Sequence, residues 1–172
     1  RTMKQAFATQ RFQPYQNIVN VIEPTRGKVI DPACGSGGMF VQSAHFVETM
    51  KANPNERLTF YGMEKNPTTL RLAKMNLAVH GLEGDIQKAI SYYEDPHKDQ
   101  APFDYVMANP PFNVDEIDAE KMKDDKRLSF GLPGVNKGGK VSNGNYVWMS
   151  FFHAYPSERG GAGIVMSSQA SS

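Results

Sequence analysis

The sequence predicts an α/β protein with a mostly parallel, doubly wound sheet. Strand-forming runs alternate with helical patterns, and a tight glycine turn joins the first strand to the helix that follows it. Strands separated by helices pair in parallel through right-handed crossovers. With 172 residues the chain is long enough for one core, so we expect a single domain over residues 1–172.

The first half of the chain contains two strand–helix pairs. Residues 28–30 form a short strand, and an amphipathic helix follows the glycine turn. The run "LTFYGME" forms a second strand that ends in Glu64. In "NPTTLRLAKMNLAVHG", Asn66 is suited to cap a helix, Pro67 to begin it and Gly81 to follow its end.

The second half continues the alternation around a long polar segment. A third strand lies near residues 85–86, and a fourth is "FDYVM" at residues 103–107. Residues 113–145 then lead to a helix around "NYVWMSFFHAY" and a fifth strand at residues 164–166. The polar segment is either a mobile surface loop, or a lid or substrate-facing loop over a functional site, because long irregular segments in compact domains are often functional.

Composition excludes several classes of protein. Apolar residues make up 40% and charged residues 22%, which is typical of a globular chain rather than a disordered or fibrous one. No apolar run is long enough to span a bilayer, and the first ten residues lack the apolar core of a signal peptide. The single cysteine, Cys34, excludes an internal disulfide and fits a reducing, cytoplasmic setting.

The net charge and the chain ends indicate that other polypeptide segments or subunits contribute to the function. A domain that binds nucleic acid tightly by itself usually has a clear excess of basic residues, whereas the formal charge of this chain is only +1. If the chain acts on nucleic acid, much of the binding affinity would therefore be supplied elsewhere. The chain starts without methionine and stops on "SSQASS" directly after a strand-like run. We therefore expect a truncated fragment of a longer protein.

Three features lie where predicted strands end, which is where doubly wound sheets bind ligands. They are the glycine turn from Asp31 to Gly38, the carboxylate of Glu64, and Asn-Pro-Pro-Phe at residues 109–112. The glycines allow a ligand to approach the backbone closely. Their G-x-G-G spacing differs from the dinucleotide pattern, because Phe40 occupies the place of the third glycine, and no G-K-[ST] phosphate loop is present.

Each of these residues also has a plainer interpretation. Glu64 could accept hydrogen bonds from both ribose hydroxyls, or it could be a solvated surface acid. Asp31 could simply brace the glycine turn through backbone N–H groups. Cys34 is better explained as a small buried apolar side chain than as a nucleophile. The four histidines are scattered along the sequence, so no metal site is predicted.

The stretch "FDYVMANPPFNV" is equally ambiguous by itself. Pro110 and Pro111 cannot donate to a β-ladder, so the strand must end before them and present Asn109 at its tip. Asn-Pro is also a common way to open a turn. The tetrapeptide alone therefore fits an ordinary turn as well as it fits a binding site.

Taken together, the motifs resemble one family. "DPACGSGGM" followed by "NPPF" looks like the amino-methyltransferases of DNA, and "GME", "FGLPG" and "NGNYVW" extend the similarity over most of the chain. The amino-acid sequence of these motifs is most similar to that of the modification subunit of type I restriction-modification systems. That resemblance implies a Rossmann-like S-adenosylmethionine-dependent methyltransferase fold and methyl transfer to N6 of adenine in DNA. It also implies a specificity subunit and a restriction (nuclease) subunit as partners.

The resemblance assigns cofactor contacts residue by residue. The glycine turn would hold the methionine part of S-adenosylmethionine, and Glu64 its ribose. An upstream aromatic-Thr-Pro element is matched by "RFQPY", which has Gln13 in place of threonine, and no adenine-ring partner is assigned near Ile90. The predicted cofactor-binding residues are Phe12, Pro14, Asp31, Ala33, Cys34, Gly35, Ser36, Gly37, Gly38 and Glu64.

The resemblance gives Asn109, Pro110, Pro111 and Phe112 the catalytic role. An exocyclic amine conjugated to a purine is a poor nucleophile, and acceptors at its two hydrogens would favour the charge that develops during attack. The Asn109 side-chain oxygen and the Pro110 carbonyl would be those acceptors, and Phe112 would stack on a flipped-out base. Methylation of cytosine at carbon is disfavoured, since Phe112 stands where a Pro-Cys pair would need cysteine.

Two alternatives remain. Other methyltransferases with an N-P-P-[FY] site act on ribosomal RNA or on a protein glutamine, although the "PACGSGG" wording argues against them. A non-catalytic nucleotide-binding module would explain the glycines and Glu64. It would leave residues 109–112 without a role.

Overall fold

The computed structural model describes residues 14–165, which form a parallel sheet with helices on both faces. The strands are β1 (Gly27–Asp31), β2 (Leu58–Glu64), β3 (Gly84–Lys88), β4 (Phe103–Ala108), β5 (Ile117–Asp118), β6 (Lys140–Val141) and β7 (Pro156–Ile164). Five of them form one sheet in the order β3-β2-β1-β4-β7, and each neighbouring pair is parallel. The predicted α/β class and parallel sheet are confirmed.

The helices are α1 (residues 14–22), α2 (Gly38–Thr49), α3 (Pro54–Arg57), α4 (Pro67–Val79) and α5 (Asn145–Ala154). Helix α4 has the predicted ends: the Asn66 side chain accepts hydrogen bonds from the backbone N–H groups of Thr68 and Thr69, and Gly81 follows the helix with φ of 66°. Among residues 14–165 no helix is long and apolar enough to cross a bilayer.

Alternating side chains of the central strands divide the core between the two faces of the sheet. On one face, Val29 and Met107 pack with side chains of α1, α2 and α4. On the other face, Ile30 and Val106 pack with Trp148 and other residues of α5. Because both faces are covered, the central strands are apolar throughout, as expected for a parallel sheet.

The strand order creates a crevice at the centre of the sheet. From β1 the chain continues outward to β2 and β3, whereas β4 lies on the other side of β1. The loops after β1 and β4 therefore leave the carboxyl edge in opposite directions. Such a switch point is where open α/β sheets bind their ligands.

The last strand lies earlier in the sequence than predicted. The prediction of a strand at residues 164–166 was wrong in position, because β7 ends at Ile164. Residues 166–172 lie outside the described part of the chain. Glycines have a low strand propensity, so the sequence of β7 did not resemble a strand. They leave room for α1, since a Cβ on Gly163 would stand 2.8 Å from a methyl carbon of Ile18. Pairing with β4 forms the strand despite its weak propensity.

The polar segment at residues 113–145 has structure of its own. Strands β5 and β6 pair within it as an antiparallel ribbon. Ile117 and Met122 from this segment are buried in the same core cluster as α5. The segment is thus packed against the sheet, and its residues 114–117 form one wall of the crevice.

Candidate active site

A cavity of about 630 Å³ opens at the switch point of the sheet. It is lined by residues 32–33 after β1, 63–65 at the end of β2, 89–93 after β3 and 109–112 after β4. Residues 114–117 and Trp148 complete the lining. Four neighbouring strand ends and α5 thus contribute to one concave site. A volume in this range suits a cofactor or other small molecule.

The glycine turn is built by backbone that only glycine adopts easily. Gly35 and Gly37 have φ of 54° and 80°, in the left-handed region. The Cys34 N–H donates to the Met63 carbonyl at 3.0 Å, which ties the turn to the end of β2. Cys34 itself is 5% exposed, and burial raises the pKa of its thiol, so the thiol is not activated as a nucleophile.

Asp31 lies beneath the turn as a buried carboxyl group. It is 2% exposed, and its Oδ1 accepts a hydrogen bond from the Ala33 N–H at 2.9 Å, so the predicted bracing of the turn is present. Desolvation raises the pKa of Asp31 to about 8; the Ala33 hydrogen bond opposes that rise and the charge of Glu64 adds to it. At neutral pH this site therefore favours either a proton or a cation next to Asp31.

The raised pKa predicts how stability depends on pH. In the unfolded chain Asp31 ionises near its ordinary pKa of 3.8, whereas in the folded chain it stays protonated up to about pH 8. Between these values the unfolded state binds fewer protons, so this group's contribution makes folding less stable as pH rises from about 4 to about 8. Asp31→Asn should flatten that part of the curve. Urea unfolding of both proteins across this range would test it, and an unchanged slope in Asp31→Asn would contradict it.

Glu64 ends β2 at the rim of the cavity. Its Oε1 accepts a hydrogen bond from the Asn66 N–H at 2.7 Å, which fixes the carboxylate beside the start of α4. Within residues 14–165 its Oε2 has no hydrogen-bond partner. The side chain is partly exposed and lines the cavity, so this oxygen can accept from a ligand.

Asn109 to Phe112 form the opposite side of the cavity. Strand β4 ends at Ala108, whose carbonyl accepts from the Val165 N–H at 3.1 Å, and Asn109 follows directly. The Asn109 side chain makes no hydrogen bond within the described residues. Pro110 is buried, while Phe112 is partly exposed to the cavity. A polar amide and an aromatic side chain are thus presented to the same space.

The cavity brings together some of the residues predicted from the sequence. Those that line it are Ala33, Glu64, Asn109, Pro110, Pro111 and Phe112. The remaining residues of the glycine turn are Asp31, Cys34, Gly35, Ser36, Gly37 and Gly38; they belong to the adjoining turn and do not line it. Pro14 is the first described residue of α1 and does not line it either. Phe12 lies outside the described residues.

The sequence did not identify two aromatic walls of the cavity. Tyr92, in the loop after β3, and Trp148, on α5, have ring centroids 5.0 Å apart. The Tyr92 hydroxyl and the Trp148 Nε1 are buried without a hydrogen-bond partner among residues 14–165. Burial raises the pKa of Tyr92 to about 12, so its hydroxyl stays protonated. Position after a strand end was the available signal for Tyr92. Trp148 stood in the "NGNYVW" stretch, but the sequence assigned it no role in the site.

Arg127 connects several segments around the cavity through buried hydrogen bonds. Arg127 is 7% exposed, and its guanidinium donates to the Ser91 carbonyl at 2.9 Å and to the Tyr155 hydroxyl at 2.8 Å and pairs with Asp125 at 2.6 Å. The Ser91 hydroxyl in turn donates to the Pro32 carbonyl at 2.5 Å. One buried cation thereby links the polar segment, the loop after β3 and the loop after β1.

The comparisons with known proteins agree with this arrangement. Residues 12–171 match the N-6 DNA methylase family. The chain is 44% identical over 157 residues to the type I restriction enzyme MjaIX methylase subunit of Methanocaldococcus jannaschii, which covers 89% of this chain and 27% of that protein. It is 40% identical over 143 residues to the HindI methylase subunit of Haemophilus influenzae, covering 81% of this chain and 30% of that protein.

A solved structure has the same fold. The type I restriction-modification methyltransferase subunit from Streptococcus thermophilus superposes with a TM-score of 0.68 at 22% identity, over 87% of this chain and 31% of that one. The predicted Rossmann-like methyltransferase fold is therefore confirmed. The chain spans less than a third of the length of each of these relatives. With the match over residues 12–171, the family predicted from the sequence is confirmed: the chain belongs to the N-6 DNA methylase family.

Proposed function

We propose that this chain is the catalytic part of a type I modification subunit, which transfers a methyl group from S-adenosylmethionine to N6 of adenine in DNA. The observation that carries the proposal is the meeting of Glu64 and residues 109–112 in one cavity at the switch point of the sheet. A carboxylate suited to ribose and an amide suited to an amine thus face the same space. A nucleotide-binding module alone would need only the first of these.

The cofactor fits the polar groups that the site leaves unmatched. Bound S-adenosylmethionine would supply an activated methyl group, so no covalent enzyme intermediate is needed. Asp31 lies beneath the glycine turn that would hold the cationic methionine part, and Glu64 would accept from the ribose hydroxyls through Oε2. The buried Asp31, with its pKa raised to about 8, is a carboxyl group that a neighbouring cation would ionise.

Residues 109–112 would act on the target base. The Asn109 side-chain oxygen and the Pro110 carbonyl would accept from the two hydrogens of the adenine amine, which directs its lone pair towards the methyl group. The rigid Pro110–Pro111 backbone would hold these acceptors in place. Phe112 would stack on the flipped-out base and offset part of the cost of unstacking it.

The partners follow from the same proposal. DNA would be the substrate, a specificity subunit would read its sequence, and a restriction subunit would complete the assembly. The formal charge of +1 supports this division, because phosphate contacts that dominate DNA affinity need a basic surplus. The names of the relatives, which are methylase subunits of type I restriction enzymes, support it as well.

Glu64→Ala should weaken binding of S-adenosylmethionine by about 1–3 kcal/mol, through the hydrogen bonds lost to the ribose. Isothermal titration calorimetry of the full-length protein would measure this. Glu83→Ala is the matched control, since Glu83 is an exposed acid before β3 and does not line the cavity. Equal affinities in the two variants would remove Glu64 from the site.

An acceptor assay tests the reaction itself. The full-length protein, assembled with its partner subunits, would be offered DNA, ribosomal RNA and protein with labelled S-adenosylmethionine. Label in DNA alone is the expected result. Label in RNA or in protein glutamine would favour the other N-P-P-[FY] enzymes instead.

A further inference from the structure

The residue that begins α5 makes a paired contact with the end of the Asn-Pro-Pro-Phe stretch. Asn145 is 4% exposed. Its Oδ1 accepts from the Asn113 N–H at 3.0 Å, and its Nδ2 donates to the Asn113 Oδ1 at 2.9 Å. The two amides thus hold each other through two hydrogen bonds across 32 residues of sequence.

This contact fixes an unusual backbone conformation. Asn113, immediately after Phe112, has φ of 51° in the left-handed region, which non-glycine residues adopt only at a cost. Asparagine tolerates this conformation better than most residues. Because Asn145 binds both the backbone and the side chain of Asn113, it offsets that cost and selects one conformation of the turn.

The residue before Asn145 adds a second attachment. The Gly144 N–H donates to the Val114 carbonyl at 2.8 Å. A Cβ on Gly144 would stand 2.9 Å from that carbonyl oxygen and 2.8 Å from the Ile117 Cδ1, so only glycine fits there. Through Gly144 and Asn145 of "NGNYVW", the start of α5 therefore packs directly against residues 113–114 and is hydrogen-bonded to them.

We propose that Asn145 is a positioning residue, which sets the place of Phe112 and Asn109 in the cavity by locking the turn at Asn113. This rests on the proposed function. The catalytic stretch is then held at both ends: Val165 holds Ala108 by a hydrogen bond at 3.1 Å, and Asn145 holds Asn113. Pro110 and Pro111 lie between these two points and have a fixed φ, so the backbone between them has little freedom to change conformation.

Asn145→Ala removes both side-chain hydrogen bonds to Asn113 and should slow methyl transfer by between about tenfold and a hundredfold, as expected when reacting groups shift by a fraction of an ångström to 1 Å. Single-turnover transfer at saturating DNA and S-adenosylmethionine would be measured in the full-length protein with its partner subunits. Cofactor affinity, measured by calorimetry, should not change. Asn55→Ala is the matched control, because Asn55 also ties two segments through its amide, to the Gly81 carbonyl and the Glu83 N–H.

Isosteric variants test the same idea without making a cavity. In Asn145→Asp or Asn113→Asp, one amide remains to donate to the carboxylate, so each single variant should keep a near-normal rate. The double variant puts two carboxylates face to face and should be as slow as Asn145→Ala. A double variant that transfers at the wild-type rate would overturn the proposal, and so would one that fails to fold, since the pair would then be a requirement of folding rather than of positioning.

The outcome for Asn145 can be separated from that of the proposed function. If wild type methylates DNA and Asn109→Ala does not, the function stands, and normal transfer in Asn145→Ala would then refute only the positioning role. If wild type does not methylate DNA, or Asn109→Ala methylates it normally, the proposed function itself fails.

Discussion

Asn109→Ala should slow methyl transfer at least about a hundredfold, in line with removal of one preorganised polar group from an active site. The physical reason is that the Asn109 oxygen would act on charge that develops at the amine during transfer, so its loss falls on the transition state. Cofactor binding and folding should be unaffected, because this side chain makes no hydrogen bond within residues 14–165. Single-turnover rates and calorimetry in the assembled full-length protein would measure both effects.

Asn109→Asp is the informative companion to this variant. It keeps an acceptor oxygen at the same place, so it should lose less activity than Asn109→Ala. Phe112→Ala should weaken capture of the flipped base by about 1–3 kcal/mol, with a smaller effect on transfer at saturating DNA. If folded Asn109→Ala transferred methyl groups at a near-normal rate, residues 109–112 would be an ordinary turn rather than a catalytic element.

Arg127→Met should destabilise the fold by about 3–5 kcal/mol, the range expected when one partner of a buried ion pair is removed. The Tyr155 hydroxyl and the Ser91 carbonyl would lose their donor, and Asp125 would keep a largely buried charge without its partner. The guanidinium also lies 4.0 Å from the centroid of the Phe151 ring, a contact that methionine replaces only in part. Urea unfolding, with free energies taken from the midpoint and slope, would measure the loss.

Lys126→Met is the control for this substitution. Lys126 is exposed and precedes Arg127, so the same change there should alter stability by less than about 0.5 kcal/mol. Similar small effects in both variants would mean that water replaces the Arg127 contacts without cost. That result would contradict the view that one buried cation joins the walls of the cavity.

The parts of the fold that local sequence determines could be predicted. Helix α4 carries its own start and stop signals at Asn66, Pro67 and Gly81, and the structure uses all three. The strand before Asn109 ends where the prolines require it to end. Strand β7 could not be predicted, because its glycines serve the packing of Ile18 and Ile22 from α1. Contacts of that kind have no signature within the strand itself.

The same division applies to the candidate site. Glu64 ends a strand, Ala33 and residues 109–112 follow strand ends, and the parallel sheet brings all of them to one edge. Trp148 and Arg127 reach the site through tertiary packing of α5 and the polar segment, so the sequence assigned neither of them a role there. Asn145 was visible only as part of a familiar stretch, and its contact with Asn113 explains why that stretch matters.

We propose that this cavity catalyses methylation of the exocyclic amine of adenine in DNA. The most direct test is to digest DNA methylated by the assembled full-length protein and to identify the modified nucleoside by mass spectrometry. We expect N6-methyl-2′-deoxyadenosine, formed by wild type and at least about a hundredfold more slowly by Asn109→Ala. Methylated cytosine, or adenine methylated equally fast by both proteins, would contradict it.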